Sequence, residues 1–330
     1  MSDRFALGIV GCGRLAESVY VPALRRLDDL ALVAVADARP ERAAAVASRF
    51  PGCSLHDCVE ALLDAGKASG LLIATPAAKH VAIADRALAA GIPVLIEKPL
   101  ASSFAEAEPW LEGDRQRVEE GVMMAFNRRY WEPVRHLRER LLAGVRPPDG
   151  PIEMTMTGDI RGWDAIEERS DPLLDLASHQ FDLLRHLFGG EIEAVCARRI
   201  DPATFRMRVR LAGSVAAACI VSHAGRSAET LAVTCGSERL FVRRGSDRTT
   251  PARGLRRRAL DGIAAANRRL RGGRSSFRRS YEDQLRAFVR FARREDRDVA
   301  SIGDGIAALR AVEAARRSAT QGGVEVPLLP

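Results

Sequence analysis

A chain of 330 residues, 47% of them hydrophobic, is long enough for two domains with separate cores. The formal charge is +7, but the excess is concentrated late in the chain. Six cysteines show no paired metal spacing, and no apolar run approaches the roughly 20 residues of a membrane span, so a metal centre and a spanning helix are both excluded. With no signal peptide before Phe5, the expectation is a soluble, cytoplasmic protein.

Phe5 to Val10 reads as an apolar strand that runs into Gly11-Cys12-Gly13-Arg14-Leu15-Ala16 and then a helix from Glu17 to Leu27. In such a turn the first glycine permits the tight bend and the second lets backbone approach a pyrophosphate. The small Ala16 lets helix and strand pack closely. A second strand, Ala31 to Ala36, ends in Asp37, 24 residues beyond Gly13. A carboxylate there can accept both ribose hydroxyls of NAD and repels the extra phosphate of NADP, so NAD is favoured although Arg39 and Arg42 lie nearby.

A helix over Pro40 to Phe50, another over Val59 to Ala65, and a strand from Gly70 to Ala74 ending in Thr75-Pro76 continue the alternation. Lys79 to Ala90 forms the next helix, stopped by Gly91. The run from Ile92 to Ile96 then reads as a buried parallel strand, apolar throughout because helices cover both faces, and it breaks off into Glu97-Lys98-Pro99. The chain has only three lysines, Lys67, Lys79 and Lys98, and uses arginine almost everywhere else. Arginine cannot release a proton near neutrality and a partly buried lysine can, so Lys98 at a strand's carboxyl end is placed for chemistry. A helix from Ser103 to Gly113, capped by Ser103 with Glu106, and a strand from Val122 to Phe126 complete a right-handed parallel sheet.

Asp171-Pro172 starts a helix and Gly189-Gly190 ends it. Asp175, His179, Asp182 and His186 fall on one stripe of that helix, and apolar residues cover most of the rest. Asp182 and His186 are expected to pack or to support the others. His56, His80, His136 and His223 have no companions at a metal spacing and are read as structural. Elsewhere the period turns to two, with strands at 152–157, 204–211, 214–221 and 230–234, and closing helices at Tyr281 to Arg293 and Gly303 to Ser318. Between Arg239 and Arg279 stand fourteen arginines against two aspartates. That stretch reads as a basic, flexible insertion, with an anionic membrane surface or a phosphorylated substrate as its sharper uses. Nucleic acid is not indicated, because the arginines lack interleaved aromatics.

At Gly11-Cys12-Gly13-Arg14-Leu15-Ala16, Ala74-Thr75-Pro76 with His80, Glu97-Lys98-Pro99, Phe126-Asn127-Arg128-Arg129-Tyr130, and Asp175 with His179, the chain resembles the Gfo/Idh/MocA oxidoreductases (glucose-fructose oxidoreductase, inositol dehydrogenase and rhizopine catabolism). The resemblance implies an α/β protein: a doubly wound Rossmann domain over 1–124, and over 125–330 an α/β domain whose open, mostly antiparallel sheet makes homodimers or homotetramers. It implies hydride exchange between NAD, less readily NADP, and a secondary alcohol or ketone of a sugar, cyclitol or nucleotide-linked sugar. Lys98, Asp175 and His179 become the catalytic candidates, with His179 as base, Asp175 supporting it, and Lys98 on the reacting oxygen. Gly11, Gly13, Arg14, Leu15, Asp37, Thr75, Pro76, His80 and Glu97, with Lys98, fall on the cofactor side; Arg128 and Tyr130 fall on the substrate side. Two rival readings are an NAD-recycling glycoside hydrolase of the same fold and a non-catalytic nucleotide sensor.

Overall fold

The computed structural model describes residues 4–143, 150–160, 171–244 and 275–328. Six parallel strands, β1 (Phe5–Val10), β2 (Leu30–Ala36), β3 (Ser54–His56), β4 (Gly70–Ile73), β5 (Val94–Ile96) and β6 (Val122–Met124), form one sheet in the order β3-β2-β1-β4-β5-β6. The chain reverses its direction of travel across the sheet between β1 and β4, which opens a crevice at the carboxyl ends. All of β4, β5 and β6 is buried, as continuous apolar runs with helices on both faces require.

Local details depart from expectation for identifiable reasons. The helix after the glycine turn begins as a π-turn, Ala16–Tyr20, before Val21–Leu24. Pro109 divides the expected Ser103-to-Gly113 helix into Phe104–Ala107 and Pro109–Glu112. Ser103 makes no capping bond, and Glu106 instead accepts the Ser102 N–H at 3.0 Å. A further helix, Arg115–Gly121, is capped by Asp114. The short edge strand β3 carries too few residues for its period to register in the sequence.

The second sheet is β12-β11-β7-β10-β9-β8-β13, built from β7 (Ile152–Thr157), β8 (Ile192–Asp201), β9 (Thr204–Leu211), β10 (Ala216–Ser222), β11 (Ala228–Cys235), β12 (Glu238–Arg244) and β13 (Val326–Pro327). Among the described residues only β7 and β10 of this sheet pair in parallel. Alternation sends Phe205, Met207, Val209 and Leu211 of β9 inward while Arg206, Arg208 and Arg210 face out. The Ser178–Phe188 and Ile302–Thr320 helices cover the inner face; Ser301 and Asp304 form a reciprocal capping box on the latter.

The Ser276–Ala292 helix returns to the first sheet, where Leu285 and Phe288 join the cluster around Phe5, Leu7 and Ile9. The core of the dinucleotide-type sheet is thus completed by residues from the far end of the chain. Of the basic stretch 239–279, the first residues belong to β12 and the last begin this helix, while 245–274 lie outside the described residues. The expectation of a membrane-facing insertion falls on those residues. Among the described residues no helix is long and apolar enough to cross a membrane.

Candidate active site

Lys98 stands just past β5, and Asp175 sits on a π-turn, Leu173–Ala177, that leads into the Ser178–Phe188 helix. That turn is fixed at its start by the Asp171 carboxylate, which accepts the Leu173 N–H at 2.8 Å, and the helix is stopped by Gly189 at φ +70°. The two residues meet: Lys98 Nζ donates to Asp175 Oδ1 at 2.6 Å and to the Asp175 main-chain oxygen at 2.7 Å. Burial pushes the Asp175 carboxyl up, but Lys98 and His223 outweigh it and hold the group well below the usual carboxylate range.

His179 lies one turn along from Asp175, yet its partner is Arg128, whose Nη1 donates to His179 Nε2 at 2.7 Å. A guanidinium can only donate, so Nε2 accepts and the ring proton is on Nδ1. Nδ1 is buried without a partner among the described residues. Burial first, then Arg128, Lys98 and Arg244, push the imidazole well below its ordinary value. This corrects two expectations: Asp175 does not support His179, and His179 is a neutral donor with its acceptor nitrogen occupied.

The residue that does meet Asp175 is His223, whose Nε2 donates to Asp175 Oδ2 at 3.2 Å. Arg128, expected on the substrate, is spent inside the wall. It donates to Glu229 at 2.7 and 3.4 Å and to Asn127 Oδ1 at 2.8 Å, besides His179. Tyr130, expected beside it, packs toward the first sheet's core and is absent from the cavity wall, where Tyr281 stands instead. Asp182 is buried on Arg129, at 2.5 and 3.0 Å, and that arginine also reaches Asp304 at 3.0 Å, a supporting role as expected.

Reading the sequence took His223 as structural and passed over Glu229, so it missed the place of both at the site. Each occupies an inward-facing register position next to an apolar strand face: His223 extends Ala217, Cys219 and Val221 of β10, and Glu229 precedes Leu231 and Val233 of β11. Continuing each alternation by one step puts a titratable group indoors, a signal that was present in the pattern.

A cavity of about 370 Å³ runs between the sheets. Leu15, Ser18, Val19, Thr75, Pro76 and Lys98 line it on one side, and Thr157, Asp175, His179, Glu229 and Arg244 on the other. Gly11, at φ +93°, closes the turn beneath: a Cβ there would lie 2.7 Å from the Ala74 and Thr75 backbone, so only glycine fits. Asp37 accepts the Cys12 N–H at 2.6 Å and the Arg39 N–H at 2.9 Å, which ties the glycine turn, with Gly13 and Arg14, to the end of β2. His80 bridges the Thr75 and Pro99 carbonyls, each at 2.9 Å, and so joins two loops of the wall. Glu97 is held behind the site by Tyr20 Oη at 2.5 Å, itself bonded by Gln284 at 3.1 Å; burial raises the Glu97 carboxyl. Thr75 Oγ1 remains buried and unpartnered at the cavity among the described residues. A glycine turn, an acid at the second strand's end and an unspent hydroxyl in the wall fit a dinucleotide.

The depressed histidines have a consequence for stability. Burial with nearby cations lowers His179 and brings His186 down to about 3, so below the unfolded value near 6.5 the unfolded chain binds more protons. Stability should therefore fall on acidification from pH 7 to 5, by about 1.4 kcal/mol per pH unit for each such group. Calorimetric Tm values across that range should show the slope, and His179→Asn should reduce it; a slope unchanged by that substitution would contradict the neutral assignment.

Two family models match this chain: the oxidoreductase family NAD-binding Rossmann fold over residues 5–118, and that family's C-terminal alpha/beta domain over residues 159–328. Inositol 2-dehydrogenase 4 of Saccharopolyspora erythraea is 29% identical over 342 residues, spanning 98% of this chain and 96% of that one. D-glucoside 3-dehydrogenase of Escherichia coli is 27% identical over 241 residues, covering 65% and 67% of the two chains. The crystal structure of myo-inositol dehydrogenase from Lactobacillus casei with NAD(H) and myo-inositol superposes at a TM-score of 0.77 and 17% identity, over 99% and 97%.

Proposed function

The chain belongs to the Gfo/Idh/MocA oxidoreductases and is a nicotinamide-dependent dehydrogenase of CH–OH groups, and from that premise we propose that it exchanges hydride between NAD and a secondary alcohol of a sugar, cyclitol or nucleotide-linked sugar. The observation that carries the reading is the ion pair of Lys98 and Asp175 across the cavity, 2.6 Å long and joining the strand-end of one domain to a helix of the other. The preference for NAD over NADP rests on Asp37 at the end of β2, a carboxylate suited to accept from ribose hydroxyls and to repel an added phosphate.

Bound NAD supplies the hydride acceptor; the chain's own groups manage the alcohol. Lys98 hydrogen-bonds the reacting oxygen: during reduction its ammonium gives that oxygen a proton, and during oxidation the amine, having first released a proton to solvent, takes the hydroxyl proton. Asp175 holds Nζ through both side chain and main chain, and His223 holds Asp175. His179, with its proton on Nδ1, gives a second hydrogen bond to the substrate. Thr75 and Pro76 shape the nicotinamide end, and water is excluded as substrate fills the cavity. The open outer face of the second sheet is the surface through which we place a homodimer or homotetramer.

Incubation of the full chain with NAD or NADP and a panel of cyclitols, sugars and nucleotide sugars tests this directly. Net NADH with at least one of them, and weaker coupling to NADP, is the expected result. Cleavage of an aryl glycoside without net NADH would overturn it in favour of hydrolysis.

A further inference from the structure

We infer that the second-domain end of the cavity binds a negatively charged substituent of the substrate, a carboxylate or a phosphate, between Arg244 and Arg278. The inference rests on the dehydrogenase reading for the identity of the cavity and adds the substrate's charge. Three guanidinium groups line this end, those of Arg128, Arg244 and Arg278. Arg128 is saturated by Glu229, Asn127 and His179.

Arg244 is different. Its Nη1 donates to Glu229 Oε1 at 2.5 Å, and its guanidinium carbon lies 3.5 Å from the centre of the Phe277 ring, so the plane is held in place while Nε and Nη2 have no partner among the described residues. The side chain stays 33% exposed, toward the cavity it lines. Arg278, on the first turn of the Ser276–Ala292 helix, has no carboxylate partner among the described residues. Glu229 therefore neutralises one of the two guanidinium charges it touches, and its oxygens are already taken. Asp159 and Glu282 also line the cavity, but each is engaged by other groups of the protein. The donors left over at this end, among the described residues, are Nε and Nη2 of Arg244 and the Arg278 guanidinium. A preset, stacked guanidinium with Nε and Nη2 free is suited to a planar carboxylate or a phosphate oxygen pair, with which its paired hydrogen bonds are charge-assisted and stronger than those to a neutral hydroxyl.

Calorimetric titration of the NAD-loaded chain with glucose, glucuronate and glucose 6-phosphate, beside turnover of each, tests this. The expected result is at least tenfold tighter binding of one anionic probe than of glucose, weakening with salt, and the better of the two acids identifies carboxylate or phosphate. Arg278→Ala should raise KM for that anion about tenfold with kcat and NAD affinity unchanged. Anion-selective binding without NADH from these probes or from any member of the wider panel leaves this inference standing and removes the dehydrogenase reading. Equal binding of all three probes, or a loss of NAD affinity in Arg278→Ala in place of the KM change, overturns the inference even where NADH is produced.

Discussion

Lys98→Met is expected to lower kcat by about 100-fold to 10,000-fold, the usual worth of a positioned proton carrier, while NAD binds as before. Methionine keeps the length and the apolar stem of lysine, so the wall of the cavity survives and only the ammonium is removed. What is lost is the hydrogen bond to the reacting oxygen and the carrier of its proton, both needed more in the transition state than in the ground state. The substitution also strands Asp175, which keeps His223 but loses both contacts from Nζ, one on its carboxylate and one on its main-chain oxygen. Stopped-flow turnover paired with NAD titration separates the two effects. A kcat within threefold of wild type would remove Lys98 from the chemistry, and His179→Asn, which keeps an acceptor for Arg128, should fall by less than Lys98→Met does.

The first domain was legible because its signals are local. A strand, a glycine turn and an acid at the next strand's end lie within 33 residues, Phe5 to Asp37, and each reports a single backbone requirement. Lys98 was legible from scarcity, being one of three lysines in a chain rich in arginine. The second domain's site was less so. Asp175 and His179 share a helix stripe, but the stripe cannot say that a carboxylate will turn toward Lys98 and His223 while the imidazole one turn on meets Arg128. Those choices are made by residues 48 to 77 positions away, across two sheets. His223 was read as structural and Glu229 was overlooked for a related reason: each lies where a strand's inward face runs on past its apolar residues, and treating the last aliphatic as the strand's end hides the titratable neighbour. Pro109 and the three-residue β3 show the opposite case, where a single residue or a short span overrides a smooth period.

Glu229→Ala should be the most destabilising single change near the site, by about 3–5 kcal/mol, because it leaves the buried Arg128 guanidinium, and the partly buried Arg244 beside it, without their carboxylate. The Glu229 side chain is 7% exposed and bonds Arg128 at 2.7 Å and Arg244 at 2.5 Å. Burial alone would push its carboxyl up; Arg128 and Arg244 outweigh that and bring it below the ordinary value. A carboxylate so lowered contributes its stability above the unfolded value near 4.3 and loses it as the pH falls through the lowered folded value, so the full effect is present at pH 7. The loss also propagates, since Arg128 is held in reach of His179 by the same carboxylate. Denaturant unfolding at pH 7 provides the number, and the double variant Glu229→Leu with Arg128→Met provides the control. Removing both buried charges should recover a large part of the deficit, as replacing a buried pair by apolar groups is commonly near neutral. If the single variant loses less than about 1 kcal/mol, or the double variant is no better than the single one, Glu229 is not the counter-charge that sets this wall.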